Sequence, residues 1–214
     1  MTNNVYKAER EWPMTNLKYN FQEFCNRSGC DSAEVERIYN AFSSVECWLG
    51  GGAIRRTLIK QALDSDFDFF FKSADYKNTF VATAKSKGMS VVRETKHHTE
   101  LRGTLEGSDL PVVVQAIHFK YYENIEQVLD SFDYTITQFV YDGEFMHTTD
   151  EALWDLGRKK LAIHKITYPV ATMRRMLKYC NQGFTACGGC MADLYRKTLE
   201  STEALGELDI EYVD

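Results

Sequence analysis

Apolar residues recur at two spacings along the chain, and these spacings predict where the first helices and strands lie. Helical spacing predicts helices over residues 16–28 and 32–43, the second with an aspartate capping box at Asp31 and Glu34. A short apolar run predicts a strand over 45–49, which ends at three consecutive glycines, 50–52. Good helix formers then predict a helix over 53–63. The order is therefore strand, glycine turn, helix.

The rest of the pattern predicts a sheet followed by a mostly helical segment. Strands are predicted over 67–71, 89–95, 98–105, 111–119 and 134–141, and helices over 74–87, 125–129, 151–160, 170–182 and 191–199. Pro169 and Gly183 bracket the helix over 170–182. We expect an α+β fold: N-terminal helices over 1–44, a core with a mixed sheet flanked by helices over 45–145, and a helical C-terminal lobe over 146–214, together one compact unit.

Composition narrows the class of protein. The 214 residues are 44% hydrophobic and 13% aromatic, enough for one well-packed core. Six cysteines in a chain of this length are too sparse for a disulfide scaffold, so we expect reduced thiols. No apolar stretch approaches the ~20 residues that span a bilayer, and the polar first residues do not resemble a secretion signal. A soluble cytoplasmic protein without a membrane partner is expected.

Charge is unevenly distributed along the chain. The net charge is −6 at pH 7, yet residues 156–192 contain seven lysines and arginines and no Asp or Glu. Within the helix over 170–182, we interpret Val170, Met173, Leu177 and Cys180 as an apolar stripe, with Arg174 and Lys178 on another face. This asymmetry favours a surface that binds an anion such as a triphosphate or RNA phosphate. A solvated basic face is the alternative interpretation.

The glycine turn is a candidate phosphate site. Gly51 and Gly52 lack side chains, so a phosphate can closely approach the backbone N–H groups where the following helix begins. Arg55 and Arg56 lie early in that helix, where the helix dipole disfavours basic residues. A negative ligand nearby would explain their presence.

Two aspartates follow one helix length later. On an extended strand Asp66 and Asp68 project to one face, and the phenylalanine between them projects to the other. The two carboxylates repel each other unless a cation joins them, and Mg²⁺ or Mn²⁺ suits oxygen ligands of this kind. A polar start to an ordinary strand is the alternative.

Together these motifs carry a resemblance to a known superfamily. The run Gly-Gly-Ala-Ile-Arg at 51–55 followed by Asp-Phe-Asp at 66–68 resembles the active-site signature of nucleotidyltransferases, which include DNA polymerase beta, poly(A) polymerases and CCA-adding enzymes, and most of all the tRNA nucleotidyltransferase type. A weaker similarity, to uncharacterised nucleotidyltransferase-like phage proteins, extends over 131–139 and 166–184. The resemblance implies that Gly51 and Gly52 hold a triphosphate and that Asp66 and Asp68 bind catalytic metal ions.

One position departs from the superfamily pattern. The third carboxylate normally lies on a later strand, and the residue at the corresponding position of the strand over 111–119 is the neutral Gln115. Asp133 entering from the neighbouring strand is our preferred substitute, with Glu100 or Asp109 as alternatives. A fourth possibility is a site that binds a nucleotide through one metal ion without catalysis.

The sequence therefore predicts an enzyme that transfers a nucleoside monophosphate from a nucleoside triphosphate to a hydroxyl, with RNA such as tRNA as one acceptor class. Arg55, Arg174 and Lys178 would neutralise phosphates. A noncatalytic nucleotide- or RNA-binding module of the same fold and transfer to a protein hydroxyl are the alternatives. If a phage encodes the protein, the host cytoplasm is its expected location.

Overall fold

A mixed sheet forms the centre of the computed structural model, which describes residues 16–64, 66–108 and 110–200. The strands are β1 (Asn16–Asn20), β2 (Trp48–Gly50), β3 (Phe67–Phe70), β4 (Ser90–Glu94), β5 (His98–Gly103), β6 (Val112–Ile117), β7 (Phe139–Tyr141), β8 (Phe145–Thr149), β9 (Lys160–Leu161) and β10 (Thr185–Ala186). The helices are α1 (Phe21–Ser28), α2 (Ala33–Asn40), α3 (Gly52–Leu58), α4 (Ala74–Ser86), α5 (Ile125–Ser131), α6 (Asp150–Gly157), α7 (Pro169–Asn181) and α8 (Gly188–Glu200), with a 3₁₀ turn at Thr135–Thr137.

The order of strands in the sheet is β1-β8-β7-β2-β3-β6-β5-β4. Strands β3 and β6 run parallel, whereas the other neighbouring pairs in this sheet are antiparallel, and β9 and β10 form a separate parallel pair. The predicted α+β class is confirmed. The division into segments at 44 and 145 stays a prediction.

Aromatic packing fixes one face of the sheet against the helices. Phe69 of β3 contacts Phe42 and Phe80, with ring centroids 5.4 and 4.7 Å away, and all three side chains are fully buried. Edge-to-face and tilted ring pairs of this kind are favourable beyond their apolar area. Phe67 and Phe69, the β3 residues on that face, are both buried, so polar chemistry on this strand is confined to the opposite face.

The opposite face of the sheet is only partly covered. Phe70 lies in a smaller apolar cluster with Trp48, Val128, Leu129 and Val140, to which α5 contributes. This apolar cluster covers only the Phe70 end of β3. Two positions earlier, on the same face of the strand, the residue is the polar Asp68. A polar cleft therefore remains at the start of β3.

The prediction of one helix over 16–28 is wrong in its first part. Residues Asn16–Asn20 form β1, and the Asn20 side chain accepts a hydrogen bond from the Glu23 N–H, which starts α1 at Phe21. Strand β1 pairs with β8 over five residues. We did not predict β8, and a pairing between segments so distant in the chain leaves no local signal.

The strand over 134–141 is also shorter than predicted. Thr135–Thr137 form a 3₁₀ turn, and only Phe139–Tyr141 are extended. Buried threonines hold the turn, because the Thr135 hydroxyl donates to Asp155 Oδ2 at 2.8 Å and the Thr137 hydroxyl donates to the Tyr134 carbonyl at 2.7 Å.

The predicted apolar stripe of α7 is wrong as well. Val170, Met173, Leu177 and Cys180 are exposed. The buried residues are Thr172, Met176 and Tyr179, at positions i, i+4 and i+7. The helix is rotated relative to the prediction, and this rotation changes which basic side chains face the rest of the protein.

Two further expectations concern cysteines and membranes. All six cysteines are free thiols in the structure. Within residues 16–64, 66–108 and 110–200, none of the helices has the length and apolar character needed to cross a bilayer.

Candidate active site

The glycine turn joins β2 to α3 and has an unusual backbone. Gly51 has φ of 76° and ψ of −123°, a conformation that strongly favours glycine. Its N–H donates to the Phe139 carbonyl at 2.8 Å, which fixes the turn against β7. A Cβ at Gly51 would lie 3.4 Å from the Phe132 ring and 3.9 Å from Asp68 Oδ2, whereas a Cβ at Gly52 would meet nothing within 4 Å. The turn therefore lies beside Asp68, and open space lies above Gly52.

The register of the sheet places the aspartates beside this turn. Asp68 has Gly50 of β2 as its Cα partner on one side and Gln115 of β6 on the other. Asp66 lies two residues earlier, on the same side of the strand. Both aspartates line a cleft of about 130 Å³, whose lining residues are Gly52, Arg55, Arg56, Asp66, Asp68, Arg175, Lys178 and Tyr179. The structure thus brings the glycine turn, both predicted metal ligands and several basic residues together.

The two aspartates interact unfavourably without a cation. Burial, and to a lesser extent the charge of Asp66, raise the pKa of Asp68 from 3.8 to about 7, although Lys178 and Arg175 oppose the shift. A divalent cation between the two carboxylates would relieve this repulsion. In the part of the chain that the structure describes, groups of three or more His, Cys, Asp or Glu residues able to hold a metal are absent. The pair of carboxylates of Asp66 and Asp68 fits Mg²⁺, because one or two carboxylates hold this cation together with substrate phosphates.

Stability of the protein without metal should therefore depend on pH. A carboxyl whose pKa is higher in the folded than in the unfolded protein holds its proton more tightly when folded, so stability falls as pH rises from about 4 to about 7. We expect Tm measured by differential scanning fluorimetry in EDTA to decrease across this interval. Asp68→Asn should flatten this part of the profile, and an unchanged profile in that variant would contradict the assignment.

Gln115 lies where the sequence placed the missing third carboxylate. Its Nε2 donates a hydrogen bond to Asp66 Oδ2 at 2.6 Å, so the amide orients Asp66. Its cross-strand partner on β5 is Glu100, whose Cβ lies about 5 Å from that of Gln115 in this geometry. Asp109, the other alternative, lies outside the described residues.

Asp133 does not line the cleft. Its carboxylate accepts a hydrogen bond from Arg175 Nη1 at 2.6 Å, and its carbonyl accepts the N–H groups of His164 and Lys165 at 2.8 and 3.3 Å. Only 9% of the residue is exposed. In the structure Asp133 therefore holds Arg175 beside the cleft, and its predicted role as the third carboxylate stays a prediction.

The basic residues of the cleft differ in part from those predicted. Arg56 lines the cleft and forms an ion pair with Asp64, and its Nη1 also donates to the Ala62 carbonyl at 2.8 Å. Lys178 lines the cleft as well, whereas Arg174 does not. The basic residue that lines the cleft beside Lys178 is instead Arg175, three residues earlier in α7. The sequence did not point to Arg175, because Met173 and Leu177 favoured another face of α7 and no local signal singled out the face of Thr172, Met176 and Tyr179.

Arg55 lies deeper than the sequence suggests. Its exposed fraction is 1%, and its guanidinium lies 4.6 Å from the centroid of the Tyr179 ring, with Nη2 donating to Gln182 Oε1 at 2.8 Å. Burial lowers the pKa of Arg55. Among the described residues, Arg55 Nε and Nη1 are buried without a hydrogen-bond partner. Unsatisfied donors of a buried charge are costly, so an anion in the adjoining cleft would stabilise this arrangement.

Solved structures with this architecture are nucleotidyltransferases. A CCA-adding enzyme in complex with ATP is similar over 90% of this chain and 48% of its own, with a TM-score of 0.62 and 15% identity. The Thermotoga maritima CCA-adding enzyme complexed with tRNA is similar over 89% of this chain and 47% of its own, with a TM-score of 0.58 and 14% identity. At this level of identity the likeness shows the fold alone. The chain has a nucleotidyltransferase-like fold.

The family to which the chain belongs is a narrower class than its fold. Residues 15–159 match the family described as Gabija anti-defense 2, and the chain belongs to this family. A Gabija anti-defense 2 protein of Bacillus phage SPbetaL7 is 24% identical over 154 residues, which are 70% of this chain and 36% of the phage protein. The chain thus spans about a third of that relative's length.

Proposed function

We propose that this protein is a metal-dependent nucleotidyltransferase that moves a nucleoside monophosphate from a nucleoside triphosphate to a hydroxyl group. The observation that carries the proposal is the position of the glycine turn, whose open side faces Asp66 and Asp68 across one cleft with a basic opposite wall. An acidic pair and a basic wall within a single cleft suit a ligand that combines phosphates with a cation.

The triphosphate lies in this cleft beside Gly52. The glycine leaves space above α3, and Arg55 offers buried donors without partners in the described part of the chain. Arg56 and Lys178 contribute positive charge from two different helices. Arg175, held by Asp133, adds a guanidinium that can grip two phosphate oxygens at once.

Asp66 and Asp68 would hold Mg²⁺ or Mn²⁺ together with phosphate oxygens. When bound, the cation neutralises negative charge on the phosphoryl group and on the departing pyrophosphate. Gln115 keeps Asp66 oriented through its amide hydrogen bond. The acceptor hydroxyl releases its proton to solvent as its oxygen bonds to the α-phosphorus, and the bond from that phosphorus to pyrophosphate breaks.

The comparisons bear on the acceptor and on the biological role. The similar enzymes were solved with ATP and with tRNA, which supports a nucleoside triphosphate and RNA as partners here. The family name supports a role in counteracting Gabija, and the phage relative supports a location in the host cytoplasm. We infer that nucleotidyl transfer is the chemistry through which this family acts.

One observation favours a second function. The amide of Gln115 supplies no negative charge where the superfamily has its third carboxylate, and Asp133 is engaged by Arg175. A site with two carboxylates can still hold one cation and a triphosphate. The alternative is therefore a nucleotide-binding module that has lost transfer activity.

A label-transfer assay distinguishes these functions. The protein is incubated with each of the four nucleoside triphosphates labelled at the α-phosphate, Mg²⁺ or Mn²⁺, total RNA and candidate proteins, beside the Asp66→Ala/Asp68→Ala variant. We expect label to move to an acceptor in the wild type and not in the variant. Triphosphate-dependent thermal stabilisation without any transfer would establish the binding module instead. Transfer that survives in the variant would refute the site.

A further inference from the structure

An exposed cluster of aromatic rings lies at one end of α7. The His97 ring contacts Phe119, with centroids 6.2 Å apart, and Tyr168, with centroids 6.1 Å apart. Phe119 is 43% exposed and Tyr168 is 48% exposed. We name these three residues the ring platform. The His97 carbonyl accepts the Phe119 N–H at 3.1 Å, which ties two of its members together.

Helix α7 links the ring platform to the cleft. Tyr168 directly precedes α7, whereas Gln182 directly follows it and contacts Arg55 of α3. The helix therefore runs from His97, which precedes β5, to Arg55 of α3, and its residues Arg175 and Lys178 line the cleft. Seven residues separate Tyr168 from Arg175, about 10 Å along a helix. The platform therefore lies at the N-terminal end of α7, whereas the opposite end of the helix meets α3, which follows the glycine turn.

The geometry of phosphoryl transfer determines the side from which the acceptor approaches the cleft. In phosphoryl transfer the attacking and leaving oxygens lie roughly in line on opposite sides of the phosphorus. With the triphosphate beside Gly52 and α3, the leaving pyrophosphate occupies the β2 side of Asp66 and Asp68. The acceptor hydroxyl must then approach from the side of β6 and β5, where the ring platform lies.

The chemistry of the platform matches a nucleobase. Every base has a flat π-face that stacks on aromatic side chains irrespective of sequence. Exposed Lys96 precedes His97, and exposed Lys120 follows Phe119 with its Nζ 5.4 Å from the Tyr122 ring centroid. Rings for bases with lysines for phosphates are the usual combination in proteins that bind single-stranded nucleic acid.

From these observations we propose that the ring platform binds the end of a single-stranded nucleic acid acceptor by base stacking. The inference rests on the proposed function, because the cleft defines the direction from which the acceptor comes. It selects a nucleic acid over a protein as the acceptor.

The test measures binding of an oligonucleotide and of a triphosphate separately. A fluorescein-labelled single-stranded RNA of about 12 nucleotides, and the DNA of the same sequence, are titrated by fluorescence anisotropy, and a nonhydrolysable triphosphate with Mn²⁺ is titrated by calorimetry. We expect Tyr168→Leu and Phe119→Ala each to weaken oligonucleotide binding about tenfold. Tyr168→Phe, which keeps the ring, should bind as the wild type does. Triphosphate affinity should be unchanged in all three variants.

Trp154→Ala is the matched control, since Trp154 is 64% exposed and lies in α6, away from the cleft. Equal oligonucleotide binding by the wild type, Tyr168→Leu and Phe119→Ala would overturn the inference, as would wild type that binds the triphosphate but neither oligonucleotide. Failure to bind the triphosphate would instead count against the proposed function. Label transfer to a protein acceptor that is insensitive to Tyr168→Leu would also overturn the inference.

Discussion

Asp68→Asn is expected to lower nucleotidyl transfer by about 10³-fold or more, because it removes charge from the pair that would hold the divalent cation. The side chain keeps its size and can still accept hydrogen bonds. Repulsion from Asp66 disappears, so the folded protein should become more stable at pH 8, where Asp68 is ionised in the wild type. Single-turnover label transfer and Tm, measured on the same samples, check both effects.

Activity lost together with a higher Tm cannot be attributed to unfolding. Asp75→Asn, which changes an exposed aspartate in the first turn of α4, serves as the control and should leave both quantities unchanged. Wild-type activity in Asp68→Asn would show that the carboxylate pair does not take part in transfer. A fall in Tm would contradict the unfavourable interaction between the two aspartates.

Arg55→Met is the second change with a large expected effect, and it separates binding from stability. Methionine occupies a similar volume and packs against Tyr179 and Phe184, which the guanidinium now contacts at 4.6 and 5.6 Å from the ring centroids. Replacing a buried, incompletely paired charge by an apolar residue is often neutral or stabilising. Loss of charge-assisted hydrogen bonds to phosphate should weaken triphosphate binding about 10- to 100-fold.

Arg158→Met is a matched control for this experiment. Arg158 also lies over an aromatic ring, 5.3 Å from the Trp154 centroid, but outside the cleft. We expect it to bind the triphosphate as the wild type does in isothermal titration calorimetry. Triphosphate affinity retained in Arg55→Met, with a marked fall in Tm, would show that Arg55 serves only to join α3 to α7.

Local chemistry made the cleft predictable. A Gly-Gly turn between a strand and a helix, and an Asp-x-Asp pair on one strand face, depend on neighbouring residues alone, and the structure places Gly52, Asp66 and Asp68 around one space. The strand boundaries of β5 and β6 also agree closely with the alternation of the sequence. These features need no knowledge of distant parts of the chain.

Tertiary contacts determined what the sequence could not show. Strand β1 exists because β8 pairs with it over five residues, and the segment looks helical when read alone. The face of α7 depends on Tyr179 packing against Tyr134 and Phe184, so that Arg175 rather than Arg174 reaches the cleft. The residues Met173 and Leu177 looked equally able to be buried, and only the rest of the fold distinguishes the two faces.

Cation-dependent binding of a nonhydrolysable nucleoside triphosphate is the most direct test of the carboxylate cleft. Calorimetry of the wild type with the analogue should show binding with Mn²⁺ present and little in EDTA, and Asp66→Ala/Asp68→Ala should lose the Mn²⁺-dependent part. Binding of equal strength with and without Mn²⁺, or binding that is unchanged in the double variant, would show that the glycine turn and the two aspartates do not form a triphosphate site.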